Sequence, residues 1–416
     1  MEKIIIVLIL ILIFAKLLWE TALTLLNMSY VKSRQQDPPG QILQVMDRQT
    51  YEKSVQYTLA REKLSLFQGG YETLILILVL FSGFLPWLYS YFADGQSESV
   101  LRESLYLVSA MFLVSLPEIP VEYYHQFRLE ERFGFNKSTV RLWVSDKIKG
   151  LVIGLVIGLP MLSLMICLIQ RIGEWWWVLA FVVFFVFQLV MMVVYPMLIL
   201  PWFNRLTPLP EGDLRTRLMD LAERAGFKAR TIQVMDGSKR SGHSNAFFTG
   251  FGRFRRIVLF DTLTEQLGPE ELEAVLAHEI GHYKKGHVPK MLTISAFMSL
   301  AGLWALAWLL DFPAFTGAFG FDHHEIGAGP ALLLFGLLSG LFIFWLSPLM
   351  GMLSRKHEYE SDRFAAYYVG PEPMISSLTK LSEKNLSNLT PHPLYSGFYY
   401  SHPTLFERTE ELEKLN

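Results

Sequence analysis

Two histidines and a glutamate stand at a spacing that can bind a metal ion and move a proton. The segment His278-Glu279-Ile280-Gly281-His282 is an H-E-x-x-H motif, and Pro269 with the acids after it predicts the start of a helix. Residues four apart on a helix lie about 40° apart, so both imidazoles face one side. They can bind one zinc ion while Glu279 serves as general base. The alternative is a helix with two unrelated histidines.

A catalytic zinc site needs a third protein ligand. His287 lies five residues beyond His282, which is about 140° round a continuous helix, so it is predicted to point away. The metzincin pattern requires a glycine and a histidine where this chain has Lys285 and Val288, which excludes that class. The third ligand must therefore come from elsewhere in the chain.

A second candidate helix follows the last apolar segment. Glu358 and Asp362 are four apart, so Glu358 could bind zinc while Asp362 accepts a hydrogen bond from a ligand histidine. Glu360 lies about 200° from Glu358 and is predicted to be a solvated charge. From the residues alone, Glu358 and Asp362 could also be ordinary acids on a helix surface.

The composition indicates a membrane protein. Hydrophobic residues make up 51% of the 416 residues, the net charge is −2, and nothing suggests a nucleic-acid partner. The one cysteine, Cys167, excludes a disulfide and is interpreted as a small buried apolar residue. Seven segments approach the roughly 20 apolar residues that a bilayer crossing needs. They are Ile4–Leu26, Tyr71–Phe92, Leu105–Tyr123, Gly150–Ile169, Trp175–Phe203, Met291–Leu310 and Ala331–Met350.

The connections between these segments predict an orientation. Lysines and arginines concentrate in residues 27–70 and 124–149, whereas the alternate connections are nearly bare. Because basic short loops stay on the cytoplasmic side, the N-terminus is predicted outside and the C-terminus inside. The polar stretch after the fifth segment then lies inside as well.

The chain is predicted to divide into four parts. Residues 1–203 carry the first five membrane helices, 204–290 form a metallopeptidase module, 291–350 carry two more membrane helices, and 351–416 supply the third ligand. The expected fold class is mainly α, with seven membrane helices and a small α+β module. Its elements are predicted as a helix at Asp213–Ala225 and strands at Thr231–Met235, Asn245–Phe251 and Arg256–Phe260.

Two pairs of polar residues lie inside the apolar segments. Lys16 and Glu20 are four apart, as are Glu118 and Glu122. Such groups are costly in lipid and usually face a helix-bundle interior or water. The alternative is that they lie near the interface and reach the headgroup region.

These features resemble the type I CAAX prenyl proteases, the integral-membrane zinc proteases typified by the a-factor-converting enzyme. Besides the H-E-x-x-H motif and the Glu358–Asp362 pair, three stretches match that family. They are Gly134–Thr139, Lys239–Gly250, and Ser401-His402-Pro403 with Glu407-Arg408.

The resemblance implies roles for individual residues. Glu358 would be the third zinc ligand, and Asn245 and Ala246 would lie on an edge strand that binds the substrate main chain. His402 would stabilise the oxyanion, and Arg408 would orient this corner or contact substrate. The alternatives are a turn residue for Asn245 and a loop histidine for His402.

The resemblance also implies a chamber within the membrane helices and cleavage of prenylated CAAX sequences after the modified cysteine. A short loop at Asp311–Pro330 and the lack of an ER-retrieval signal favour a bacterial inner membrane, with the ER membrane expected if the source is eukaryotic. A heat-shock-type quality-control metalloprotease is the nearest rival and usually has fewer crossings. Charges around the H-E-x-x-H motif argue against an intramembrane site-2-type protease. A seven-helix receptor or transporter with a structural zinc is the alternative that is not an enzyme.

Overall fold

Long helices dominate the computed structural model, which describes residues 1–36, 38–92, 99–227, 231–249, 256–322 and 326–415. In lipid, backbone groups must be paired within the segment, so long apolar runs become helices. The helices are α1 (Glu2–Gln36), α2 (Arg48–Phe81), α3 (Val100–Ser115), α4 (Glu118–Phe133), α5 (Val140–Arg171), α6 (Gly173–Phe203), α7 (Asp213–Arg224), α8 (Pro269–Lys284), α9 (His287–Leu310), α10 (Ala328–Val369), α11 (Pro371–Lys384), α12 (Pro393–Tyr399) and α13 (Leu405–Glu413). Shorter helices occupy Ile42–Val45, Phe84–Ser90, Asp261–Gln266 and Pro313–Gly317.

Six of these helices are long and apolar enough to cross a membrane, namely α1, α2, α5, α6, α9 and α10. The pair α3 and α4, bent by 41°, meets the same test together and brings the number to seven. The bend falls beside Pro117, which lacks the N–H that a continuous helix needs. The seven predicted crossings are therefore confirmed, although the third is a broken span.

Two predicted segments differ in extent from the helices that contain them. The second segment was predicted to end at Phe92, but α2 begins at Arg48 and ends at Phe81. Gly83 follows with φ 79°, a left-handed conformation that turns the chain into a short separate helix. The seventh segment was predicted to end at Met350, but α10 continues without a break to Val369.

The length of α10 joins the membrane part to the site. Its 42 residues span roughly 60 Å at about 1.5 Å per residue, twice the thickness of a bilayer's hydrocarbon core. Glu358 and Asp362 therefore stand on the same helix as the last crossing. α10 also packs against α1, α3 and α9, so the membrane helices brace it.

The module contains a four-stranded sheet in the order β1 (Leu206–Pro208), β2 (Ile232–Met235), β4 (Arg256–Phe260) and β3 (Ala246–Thr249). β2 and β4 are parallel, and the outer strands are antiparallel to their neighbours. The three predicted strands are confirmed within a residue where the structure describes them. Residues 250 and 251 of the predicted second strand lie outside the described residues, and β1 was not predicted.

The predicted helix at Asp213–Ala225 is confirmed as α7, one residue shorter. Its buried leucines, Leu218 and Leu221, belong to the core cluster that includes Ile257 and Leu259 from β4 and Leu276 from α8. The helix that carries the H-E-x-x-H motif is thus held between the sheet and α10. This packing fixes which of its faces meets α10.

The polar residues within the membrane helices are paired or line internal space. Lys16 Nζ lies 2.9 Å from Glu20 Oε1. Lys16 and Glu118 line one pocket of about 290 Å³, and Lys147 pairs with Glu122. The arrangement favours the interior-facing alternative for Lys16 and Glu118.

Glycine 281 lets α8 and α10 approach closely. A Cβ at Gly281 would lie 3.0 Å from Ser361 Cα and 3.2 Å from Phe364 Cβ. Ser361 is completely buried, so neither helix has space to yield. The smallest residue at this position therefore sets the separation of the two helices that carry the candidate ligands.

We predict that Gly281→Ala destabilises the protein by about 1–3 kcal/mol, because the added methyl group overpacks the α8–α10 contact. Gly340→Ala is the matched control, since nothing lies within 4 Å of a Cβ there. Thermal unfolding of both variants in detergent checks the difference. Equal melting temperatures would remove the close contact as a constraint.

Candidate metal centre

The start of α8 is fixed by several contacts. Pro269 occupies the first turn, and Glu271 Oε2 accepts a hydrogen bond of 2.8 Å from the Gly268 backbone N–H. Ser376 and Lys380 of α11 donate to the same carboxylate at 2.5 Å and 2.9 Å. The Glu271 carboxylate therefore holds both the helix start and the neighbouring helix, which sets the rotation of α8.

Three side chains converge where α8 meets α10. His278 Nε2 lies 3.1 Å from His282 Nε2 and 3.4 Å from Glu358 Oε2. His282 Nε2 lies 3.3 Å from Glu358 Oε1. One ligand atom from each residue lies within 4.8 Å of the other two, and His278 and Glu358 are buried. Among the residues that the structure describes, this is the single such cluster of histidine, cysteine and acidic side chains.

The cluster fits a bound metal cation. Buried Glu358 Oε2 has no hydrogen-bond partner in the described part of the chain, which is costly for a buried carboxylate oxygen. Burial alone would lower the pKa of His278, but hydrogen bonds to Asp362 and Glu358 outweigh it and raise that pKa to about 9. The site thus favours positive charge at this point. Two imidazoles and a carboxylate are a donor set suited to zinc.

A buried ion pair orients His278. Its Nδ1 lies 2.9 Å from Asp362 Oδ1, which leaves Nε2 directed at the cluster. Arg408 of α13 donates to both oxygens of Asp362, at 2.8 Å and 2.5 Å. The Arg408 side chain is buried, and its Nη1 also lies 3.6 Å from Glu358 Oε2. These contacts agree with an orienting role, and the contact of Arg408 with substrate stays a prediction.

A second, partly buried network orients His282, and it was not predicted from the sequence. His287 Nδ1 lies 3.0 Å from His282 Nδ1, and His287 Nε2 lies 3.0 Å from Glu360 Oε2. The His287 ring stacks on His357 at 3.9 Å between centroids. The prediction that His287 points away was wrong. The prediction of a solvated charge at Glu360 was also wrong, because its side chain is only 27% exposed and contacts His287.

The error has a local cause. The angle of about 140° assumed one continuous helix, but α8 ends at Lys284 and α9 begins at His287. Gly286 between them has φ 68°, the left-handed conformation that ends many helices. A glycine before a histidine was the available signal that the helix axis changes direction there.

Glu279 lies beside the cluster without taking part in it. Its side chain is half-buried and makes no hydrogen bond within the described residues. Burial raises the pKa of Glu279 above the ordinary glutamate value, an effect that the Glu358 carboxylate reinforces and that both histidines oppose. A carboxylate with unused acceptors and raised basicity can take a proton from water.

His402 approaches the cluster from the C-terminal region. Its Nε2 lies 3.5 Å from Glu358 Oε1, and its side chain is 63% exposed. Arg355 of α10 donates at 2.5 Å to the Tyr400 carbonyl, which ties this loop to the helix that carries Glu358. Thr404 and Glu407 then cap α13 reciprocally. His402 lines a pocket of about 630 Å³.

The two predicted strand residues lie at the edge of the sheet. Ala246 is the first residue of β3, which pairs with β4 on one side and is the last strand in the sheet order. Asn245 precedes it, is exposed, and accepts a hydrogen bond of 2.8 Å from the Ala246 N–H. β3 also contacts α8, so this edge runs beside the helix that carries the histidines.

Comparison with known proteins identifies the family. Residues 208–416 match the model for peptidase family M48, and residues 27–205 match the model for the CAAX prenyl protease N-terminal region with five membrane helices. The chain belongs to peptidase family M48. It is an integral-membrane metalloprotease, so the alternative of a receptor or transporter with a structural zinc is wrong.

Individual relatives resemble it over nearly their whole length. CAAX prenyl protease 1 of Saccharomyces cerevisiae is 34% identical, over 92% of this chain and 90% of that protein. The CAAX prenyl protease 1 homolog of Homo sapiens is 31% identical, over 96% and 93%. The crystal structure of S. mikatae Ste24p superposes with a TM-score of 0.92, at 33% identity, over 98% of this chain and 99% of that one. The resemblance predicted from the sequence motifs is confirmed.

We predict that His287→Phe weakens zinc binding by roughly tenfold to a hundredfold, because losing the partner of a ligand histidine costs about that much. The phenyl ring keeps the stacking on His357 and removes both nitrogen contacts. His357→Phe is the matched control, since His357 stacks on His287 without touching His282. Competition with a chromophoric chelator measures both affinities. Equal affinities for the two variants would contradict the orienting role.

Proposed function

We propose that the protein is a zinc endopeptidase whose metal is bound by His278, His282 and Glu358. The observation that carries this proposal is the convergence of three ligand atoms within 4.8 Å, together with the buried Glu358 Oε2, which accepts no hydrogen bond within the described residues. When bound there, zinc supplies Lewis acidity toward the scissile carbonyl and makes water a better nucleophile. The family match supports a metal cofactor of this kind.

Glu279 and His402 are proposed as the catalytic residues. Glu279 accepts the proton of the attacking water and then delivers it to the leaving amine. Its raised pKa and free oxygens suit both transfers. His402 donates a hydrogen bond from Nε2 to the developing oxyanion, and its exposure to the pocket suits contact with substrate.

The outer residues are proposed to position the ligands. Asp362, held by Arg408, keeps the His278 proton on Nδ1 so that Nε2 is available. Glu360 accepts the His287 Nε2–H, which leaves His287 Nδ1 to accept from His282. The hydrogen-bond chain that starts at each proposed ligand histidine thus ends at a carboxylate. This arrangement fixes the tautomer and the ring orientation of histidines that bind metals.

The substrate is proposed to be a peptide that extends along β3, bound through its main chain at Asn245 and Ala246. The edge position of β3 and its contact with α8, which carries the histidines, support this binding mode. By the names of its relatives, we further propose a prenylated protein ending in a CAAX sequence, cut after the modified cysteine. The charge of the loops supports a cytoplasmic module and an external N-terminus.

We predict that Glu279→Gln keeps its zinc and loses peptide hydrolysis by about 10²–10⁴-fold, because general-base catalysis contributes an effect of that size. Glu358→Ala loses both zinc and activity. Glu270→Gln, an exposed acid on the same helix, is the control and leaves both unchanged. Elemental analysis with a peptide-cleavage assay separates the variants. Full zinc occupancy in Glu358→Ala would refute that ligand.

The substrate proposal predicts faster cleavage of a farnesylated CAAX peptide than of its unmodified twin, with a single cut after the modified cysteine. Mass spectrometry of the products from both peptides, with Glu279→Gln as the blank, checks the site and the relative rate. Cleavage of both at equal rates would discard the prenyl preference and keep the peptidase.

A further inference from the structure

A pocket of about 770 Å³ lies between α2 and α4, separate from the metal cluster. Its apolar wall includes Leu59, Leu64, Val121, Leu129 and Phe133. None of its lining residues borders the pocket that contains His402. The two pockets use different residues of α2. Leu59, Ala60 and Leu64 line this pocket, whereas Thr58, Arg61 and Glu62 line the pocket that contains His402, so the two open on different faces of the helix.

All the formal charge in this pocket is positive. Lys63, Arg128 and Arg132 line it, each is exposed, and no aspartate or glutamate lines it. Within the described part of the chain, none of the three makes an ion pair with a carboxylate, and Arg132 contacts only the Phe133 ring at 5.5 Å. The neighbouring pocket differs in this respect, since Glu72, Glu118 and Glu122 line it.

The pocket lies where the polar half of α2 gives way to its apolar half. Tyr57, which lies in α2 between the pocket residues Gln56 and Leu59, clusters with Phe135 and with Leu386 beyond α11, so this end of α2 adjoins the protease module. From Tyr71 onward α2 is almost entirely apolar. Phe67 and Tyr124 at the pocket are 60% and 54% exposed, as rings at a membrane–water interface often are.

We propose that this pocket binds an anionic phospholipid, with the phosphate at Lys63, Arg128 and Arg132 and an acyl chain along the apolar wall. Three cations without a carboxylate partner can bind a phosphate group. The apolar wall can bind the acyl chain of a lipid, which a free phosphate lacks. Basic pockets between helices on the cytoplasmic side of membrane proteins recognise lipid headgroups in this way. A zwitterionic lipid is expected to bind more weakly, because the three positive charges repel its choline or ethanolamine group. The proposal does not depend on peptidase activity.

The test uses the full-length Glu279→Gln protein in detergent, titrated with phosphatidylglycerol or phosphatidylcholine and followed by native mass spectrometry. We expect phosphatidylglycerol to bind at least tenfold more tightly. Each cation near a lipid surface contributes roughly fivefold, so the triple variant Lys63→Gln, Arg128→Gln, Arg132→Gln should lose that preference. Lys63→Arg with Arg128→Lys and Arg132→Lys, which keeps the charges, should retain it.

The control variant is Lys32→Gln with Lys137→Gln and Arg141→Gln, three exposed cations outside this pocket. Equal loss of the preference in this control would show a general charge effect and overturn the site. Glycerophosphate that competes as well as the whole lipid would overturn the acyl-chain contact. A parallel assay uses the triple Gln variant with Glu279 intact: a tenfold rise in its KM for a farnesylated peptide in phosphatidylcholine discs, with its lipid preference unchanged, would assign the pocket to substrate instead.

Discussion

The close contact between Gly281 and Ser361 is the constraint on which the candidate site depends. His278 and His282 come from one helix and Glu358 from another, so their ligand atoms meet only if the two backbones nearly touch. A side chain one carbon larger has no space at Gly281. The variable residue immediately before the second histidine is therefore limited by packing against α10, and the metal chemistry depends on that packing.

The two candidate ligand histidines are oriented by two separate chains of contacts. His278 is held by Asp362 of α10, which Arg408 near the C-terminus secures. His282 is held by His287 at the start of α9, which Glu360 secures from α10. α10 thus supplies the candidate metal-binding carboxylate and both outer carboxylates. Each imidazole keeps one nitrogen occupied and presents the other to the cluster, as a metal-ligand histidine must.

The sequence could predict those features of the site that depend only on residue spacing within one helix. The four-residue separations in α8 and α10 placed His278 with His282 and Glu358 with Asp362, because helical geometry alone decides them. His287 could not be placed in this way, because its position depends on the direction of the chain after Gly286. Glu360 was likewise misjudged from its angle on α10, since a half-buried acid is recognisable only once its partner on another helix is known.

The continuity of α10 explains how a membrane protein can hold a peptidase site rigidly at one end. The same helix begins among the membrane spans and, with Pro348 inside it and no break, reaches the candidate ligand Glu358. A second tie joins the module to the membrane helices, because Arg240 makes a paired hydrogen bond with Asp146 of α5 at 2.9 Å and 3.1 Å. Arg240 begins the segment that leads to β3. The edge strand and the ligand helix are therefore each anchored to a membrane helix, so their relative position is set by how those spans pack.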